Sequence, residues 1–167
     1  PGPPNPLEPL VTIGSSLFSD ILFIPHTGLG SIRFVLQHGS LGTIASPYIP
    51  ISYDRSYEME IDLGSLYPPE AHPFFDSLTL AQMRWLKRSI AITLDGRNVF
   101  RGTFSFYDAS PGQIYVGENP FAPPNEPGRF RGKIAYRGRT PPDLEELRAR
   151  ARSESGPVAL RVMLPSN

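Results

Sequence analysis

The run Ile90-Ala-Ile-Thr-Leu-Asp95-Gly96-Arg-Asn-Val-Phe100 constrains this chain more than any other stretch. Asp-Gly supplies the two positive φ angles of a type I′ turn, whose twist matches that of two antiparallel strands. Both flanks read as strands, so a tight hairpin is expected here. The same grammar recurs elsewhere: short apolar or alternating runs, cut by Pro, Gly and Asn, at the spacing of an all-β fold. About ten strands follow from this pattern: Leu10 to Gly14, Asp20 to Ile24, Ser31 to Gln37, Ile44 to Ile51, Tyr57 to Leu63, Ser89 to Leu94, Asn98 to Phe106, Gln113 to Val116, Phe130 to Arg137 and Val158 to Leu164. The 20 Pro and 15 Gly among 167 residues follow no G-x-y period, so they act as punctuation and not as a collagen repeat.

Two stretches have helical spacing. Thr140 caps a run from Pro141 to Arg152 with Leu144, Leu147 and Ala151 on one face, acids at its start and Arg148, Arg150 and Arg152 at its end. A second short helix is expected near Leu78 to Arg88, with Leu80, Met83 and Leu86 facing inward beside Trp85. The Pro-rich stretches Pro1 to Pro9 and Asn119 to Pro127 favour extended backbone. The organisation expected is therefore a linker over 1–9, a β domain over 10–139, an amphipathic helix over 140–153 and a terminal strand within 154–167. The absence of Cys excludes a disulfide scaffold, thiol catalysis and thiolate metal sites, and no apolar run approaches the ~18 residues of a membrane span. Beginning at Pro1 without Met or a signal-peptide pattern, the chain reads as a mature, processed or excised piece.

Ser110-Pro-Gly-Gln-Ile-Tyr-Val-Gly117-Glu-Asn-Pro120, followed by Gly128-Arg-Phe-Arg-Gly132-Lys-Ile134, resembles the closing strands of laminin-G-like and concanavalin-A-like jelly rolls, where an I-x-V-G strand precedes an F-x-G-x-I strand. The Leu94 to Phe100 hairpin and the Gly64-Ser-Leu-Tyr-Pro-Pro69 turn resemble those of uncharacterised bacterial extracytoplasmic domains of that type. The resemblance spans about residues 7 to 137 and implies an antiparallel β-sandwich of jelly-roll type at an extracellular or cell-surface location. In that group a strand like Gly156 to Pro165 precedes one like Glu8 to Gly14, whereas here it comes last. Such a circular shift suits one unit of a tandem array or a polymer.

A terminal strand carrying Val158, Leu160, Val162 and Leu164 then has two destinations. It folds back beside Leu10 to Gly14, or it completes the sandwich of a neighbouring copy by β-augmentation. Charge also separates along the chain, with 2 basic and 8 acidic side chains over residues 1–82 against 14 and 8 over 83–167. Alternation puts Glu58, Glu60 and Asp62 on the outer side of one strand and Arg129, Arg131 and Lys133 on the outer side of another. As neighbours these would form weak cross-strand pairs; on separate faces they would orient head-to-tail association of identical units. The role expected is thus a non-enzymatic self-association module of a surface filament, with other copies of itself as partners. Zero total charge and the lack of interleaved aromatics argue against nucleic acid.

Other chemistry is less developed. Glu60-Ile-Asp62-Leu-Gly-Ser65 resembles the E-I-D-x-x-E strand of jelly-roll β-glucanases, but position 65 is Ser where the family has its acid/base. A glucanase-like hydrolase is therefore the most distant alternative and no catalytic residue is assigned. Carbohydrate binding is the nearer one, with Tyr67, Phe74, Phe75 and Phe121 of the Pro-rich loops as an exposed aromatic set that could equally cap the fold's ends. His26, His38 and His72 lack metal-ligand spacing, and no cofactor is expected. Calcium fits the resemblance, with Asp20, Asp54, Asp76 or Asp108 as carboxylates, and remains unassigned.

Overall fold

The computed structural model describes residues 7–25, 30–139 and 160–164. The chain is predominantly β and its sheets are antiparallel. The strands are β1 (Leu7–Gly14), β2 (Ser19–Pro25), β3 (Ser31–Ile32), β4 (Val35–His38), β5 (Gly42–Ala45), β6 (Ile49–Pro50), β7 (Tyr57–Leu63), β8 (Ser89–Leu94), β9 (Arg97–Thr103), β10 (Ile114–Val116), β11 (Tyr136–Arg139) and β12 (Leu160–Leu164), with helix α1 (Leu80–Leu86) between β7 and β8. One five-stranded sheet runs β10-β1-β2-β4-β5, a second runs β11-β12-β7-β8-β9, and β3 pairs with β6. The expected helix over 140–153, Val158 and His26 lie outside the described residues.

The hairpin that anchors the sequence reading forms as expected. Asp95 and Gly96 take φ angles of 50° and 73° between β8 and β9. Asp95 tolerates this conformation while its carboxylate accepts the Glu58 amide at 2.9 Å and pairs with Arg55 at 2.6 Å. On β7 the alternation holds on its inner side: Tyr57, Met59, Ile61 and Leu63 are buried. They join Ile90, Ile92, Leu94 and Phe100 of the same sheet and Leu10, Val11, Ile13, Leu22, Ile24 and Leu36 of the other in one apolar cluster. Each fully buried Leu or Ile contributes about 1.5–3 kcal/mol, so the shared cluster is what ties the two sheets together.

Several strands depart from the sequence reading. The stretch Ser31 to Gln37 divides into β3 and β4, and Ile44 to Ile51 divides into β5 and β6, because Phe34 and Ser46 are bonded to each other across the break. β1 begins at Leu7, inside the expected linker, and Pro9 sits where its register with β2 shifts, a position that needs no ladder donor. β1 and β2 are also buried on both sides, which erases the period-two signal. Their second side is met by later segments, since Asp20 of β2 accepts the Tyr107 amide and Glu8 of β1 binds Arg131.

The strand expected at Phe130 to Arg137 is corrected by the structure. Residues 130–135 are irregular and only Tyr136–Arg139 forms β11. Phe130 and Ile134 still pack against the main cluster, so the inward alternation is real while its ladder is missing. The short helix near Leu78 to Arg88 appears as α1, fixed by a capping box in which Thr79 Oγ1 accepts the Gln82 amide and the Thr79 amide donates to Gln82 Oε1. Met83 and Leu86 face inward as expected, whereas Leu80, at the first position of the helix, is 55% exposed.

Candidate functional site

β12 lies between β7 and β11, in the interior of its sheet. Leu160 is opposite Ile61, Val162 opposite Met59 and Leu164 opposite Tyr57, and on the other side Leu160 and Val162 are opposite Arg139 and Arg137. The alternation Leu-x-Val-x-Leu thus falls in register with the buried positions of β7. Own-chain pairing beside Leu10 to Gly14 is not what forms; the neighbours of β1 are β2 and β10.

The acidic row on β7 is not a solvated face. Glu58 and Glu60 are half-buried and Asp62 is 1% exposed. Thr93 Oγ1 donates to Glu60 Oε2 at 3.0 Å, and the Tyr67 hydroxyl donates to Asp62 Oδ2 at 3.4 Å. The expected acid/base position, Ser65, is buried as well. Of the basic set, Arg129 and Lys133 are exposed, but Arg131 turns back on its own chain: its Nε is 2.6 Å from Glu8 Oε1 and its amide donates to Glu8 Oε2 at 3.1 Å. One acid and one base of the two sets are thus taken up within the chain, Asp62 by Tyr67 and Arg131 by Glu8.

The aromatic set separates too. Tyr67 and Phe75 are 3% and 4% exposed and form a satellite core with Met83 and Leu86, against which Phe74, Leu78 and Trp85 pack. This is a correction to their reading as exposed platforms: Tyr67 and Phe75 are buried in that core and half-buried Phe74 is edge-on to Phe75. Phe121 is instead edge-on to Tyr115, with centroids 5.8 Å apart. Among the described residues no three His, Asp or Glu side chains gather as a metal-binding group. Asp54 accepts from the Ser52 hydroxyl, and Asp108 is 2.5 Å from Lys87 Nζ.

Three polar clusters went unread in the sequence. Asp20, fully buried, has Oδ1 2.6 Å from His38 Nδ1 and accepts the Tyr107 amide at 3.0 Å, while the Tyr107 ring stacks on His38 with centroids 4.1 Å apart. Burial pushes the Asp20 carboxyl above its ordinary value, against the lowering effect of His38, the Tyr107 amide and Ser65. Lys87, at the end of α1, donates to the carbonyls of Tyr67 and Pro68 and to Asp108. Glu8 holds Arg131. The available signal was a lone charge inside an apolar run, as in Asp20-Ile-Leu-Phe-Ile24 or Leu7-Glu-Pro-Leu-Val11.

A cleft of about 230 Å³ opens beside β9, lined by Trp85, Ser89, Ile90, Ala91, Arg101, Gly102 and Thr103. Asp62, Ala91 and Arg101 lie in one row across β7, β8 and β9. No protein-family model matches the chain, and comparison with curated proteins and with solved structures returns no similar protein.

Proposed function

We propose that this chain is a β-sandwich of jelly-roll type, similar to laminin-G-like domains, that serves as a non-enzymatic self-association module at a cell surface, its units joined by exchange of the C-terminal strand. The observation that carries the proposal is the position of β12 inside a sheet, between β7 and β11. An interior strand satisfies backbone groups on both of its sides, so the slot it fills would leave ladder groups of β7 and β11 unpaired if it were empty. A second copy carries the identical strand and would make the identical register, which is the condition for exchange. Residues 140–159 separate β11 from β12, and with 140–153 helical, as their spacing predicts, these twenty residues reach about 40 Å. That exceeds the radius of gyration of about 15 Å expected for a chain of this length. The single apolar cluster fed by both large sheets supports the sandwich arrangement.

The charge sets contribute less than their sequence pattern suggests, because Asp62 and Arg131 are engaged within the chain. Exposed Arg129 and Lys133 remain to steer association, so salt is expected to slow assembly and not to abolish it.

Negative-stain electron microscopy and sedimentation of the full chain and of a chain lacking residues 157–167 test the proposal. Oligomers that grow with concentration, vanish on truncation, and give way to binding of a peptide of residues 157–167 by the truncated chain are expected. A full chain that stays monomeric, or assemblies that persist without the strand, would overturn it.

A further inference from the structure

Among the described residues β9 is an outer strand of its five-stranded sheet. Phe104 donates to the Arg88 carbonyl, and β8 pairs with β9 so that Ser89, Ile90 and Ala91 face Thr103, Gly102 and Arg101. In an antiparallel ladder hydrogen-bonded pairs alternate, so Gly102 directs its backbone groups to Ile90 while Arg101 and Thr103 direct theirs away from β8. The other side of β8 agrees: Asp95 donates to the Glu58 carbonyl, which phases Ala91 toward Asp62 of β7. Among the described residues β9 has β8 as its only sheet neighbour. The N–H and C=O groups of Arg101 and Thr103 thus form, among the described residues, an open ladder edge beside the Trp85 cleft.

The exposed charged side chains of α1 and β9, and Arg88 between them, are all arginines. Arg84 and Arg88 flank Trp85 in sequence, and Arg97 and Arg101 lie on β9; all four are exposed and none has an ion pair among the described residues. Of the acids on adjoining segments, Asp95 is paired with Arg55 and Asp108 with Lys87, while Glu60 and Asp62 are half-buried and buried on β7 and accept from the Thr93 and Tyr67 hydroxyls. Arginines on an edge deter pairing with like strands. They favour a strand whose alternate side chains are acidic.

We infer that β9 is a docking edge for an extended acidic peptide, which adds to the sheet through the backbone of Arg101 and Thr103 and places one side chain in the cleft walled by Trp85. Main-chain bonds supply the common affinity of this mode, and the cleft and arginines supply the selection. The inference does not depend on exchange of β12, which lies on the far side of β7.

The chain has one Trp, and it lines the cleft, so its emission reports occupancy directly. Titration with acetyl-Glu-Val-Glu-Phe-Glu-Val-Glu-amide is expected to shift that emission saturably, with the Lys counterpart giving no shift. Thr103→Pro removes an outward N–H without touching the β8 ladder, and Arg101→Glu reverses the charge; each is expected to weaken binding at least about tenfold at an unchanged melting temperature. Sedimentation of the full chain without peptide runs alongside. The inference fails if no saturable shift occurs, if Thr103→Pro binds as tightly as the parent, or if Thr103→Pro abolishes self-association in the absence of peptide, which would give the edge to a second copy.

Discussion

Gly64 follows the last residue of β7, where the Lys87 carbonyl and the Phe106 ring pass so close that a Cβ would collide with both. Gly64→Ala is expected to cost about 1–3 kcal/mol in a urea melt, because backbone on the opposing side cannot yield as a side-chain tip can. Asp20 gives a prediction in pH. Its carboxyl is held above the ordinary range by burial, so the folded chain keeps a proton there that the unfolded chain releases above about pH 4. The stability it contributes is full below that window and is lost as pH rises through its folded pKa. The stability of the parent relative to Asp20→Asn should therefore decline as pH rises through this window, with His38, Tyr107 and Ser65 as the facing groups; a rising difference would contradict the assignment. Single residues were legible where their role is local. Asp95-Gly96 announces its own turn, whereas Glu8 and Arg131 meet across 123 positions, a pairing no local window contains.

At the level of elements, α1 is short enough that its ends decide it. Thr79→Ala removes the capping hydroxyl and is expected to cost about 1 kcal/mol, seen as a lower urea midpoint, with Trp85 emission changing in the same transition. The elements that sequence spacing identified best are β7, with one less buried side, and α1, with a cap of its own, while β8, buried at every position, was marked by the Asp95-Gly96 turn that follows it. β1 and β2 are covered on both sides, so their boundaries were set by partners and not by alternation. Residues 130–135 show the reverse failure. Phe130 and Ile134 alternate into the core, but the Phe130 amide goes to Gly117 and the Arg131 amide to Glu8, leaving no ladder to build.

Over the whole molecule, the pairings that close each sheet are distant in sequence: Val11 meets Val116, and Leu160 meets Ile61. Such topology slows folding, since loop closure precedes the contacts that reward it. Amide exchange is expected to be slowest in β1, β2, β7 and β8, which are flanked and buried, and fastest in the short edge strands β5 and β10; uniform protection across all of them would contradict this order. The all-β class was readable from punctuation alone, but strand order was not, because short segments of one alternating pattern are interchangeable until side-chain contacts select among them. The interior place of β12 also has a consequence in time. Leu160 is made 99 residues after Ile61, which at ordinary rates of synthesis is about 5–20 s. For that interval the nascent chain holds β7 without the neighbour that Leu160 to Leu164 later provides.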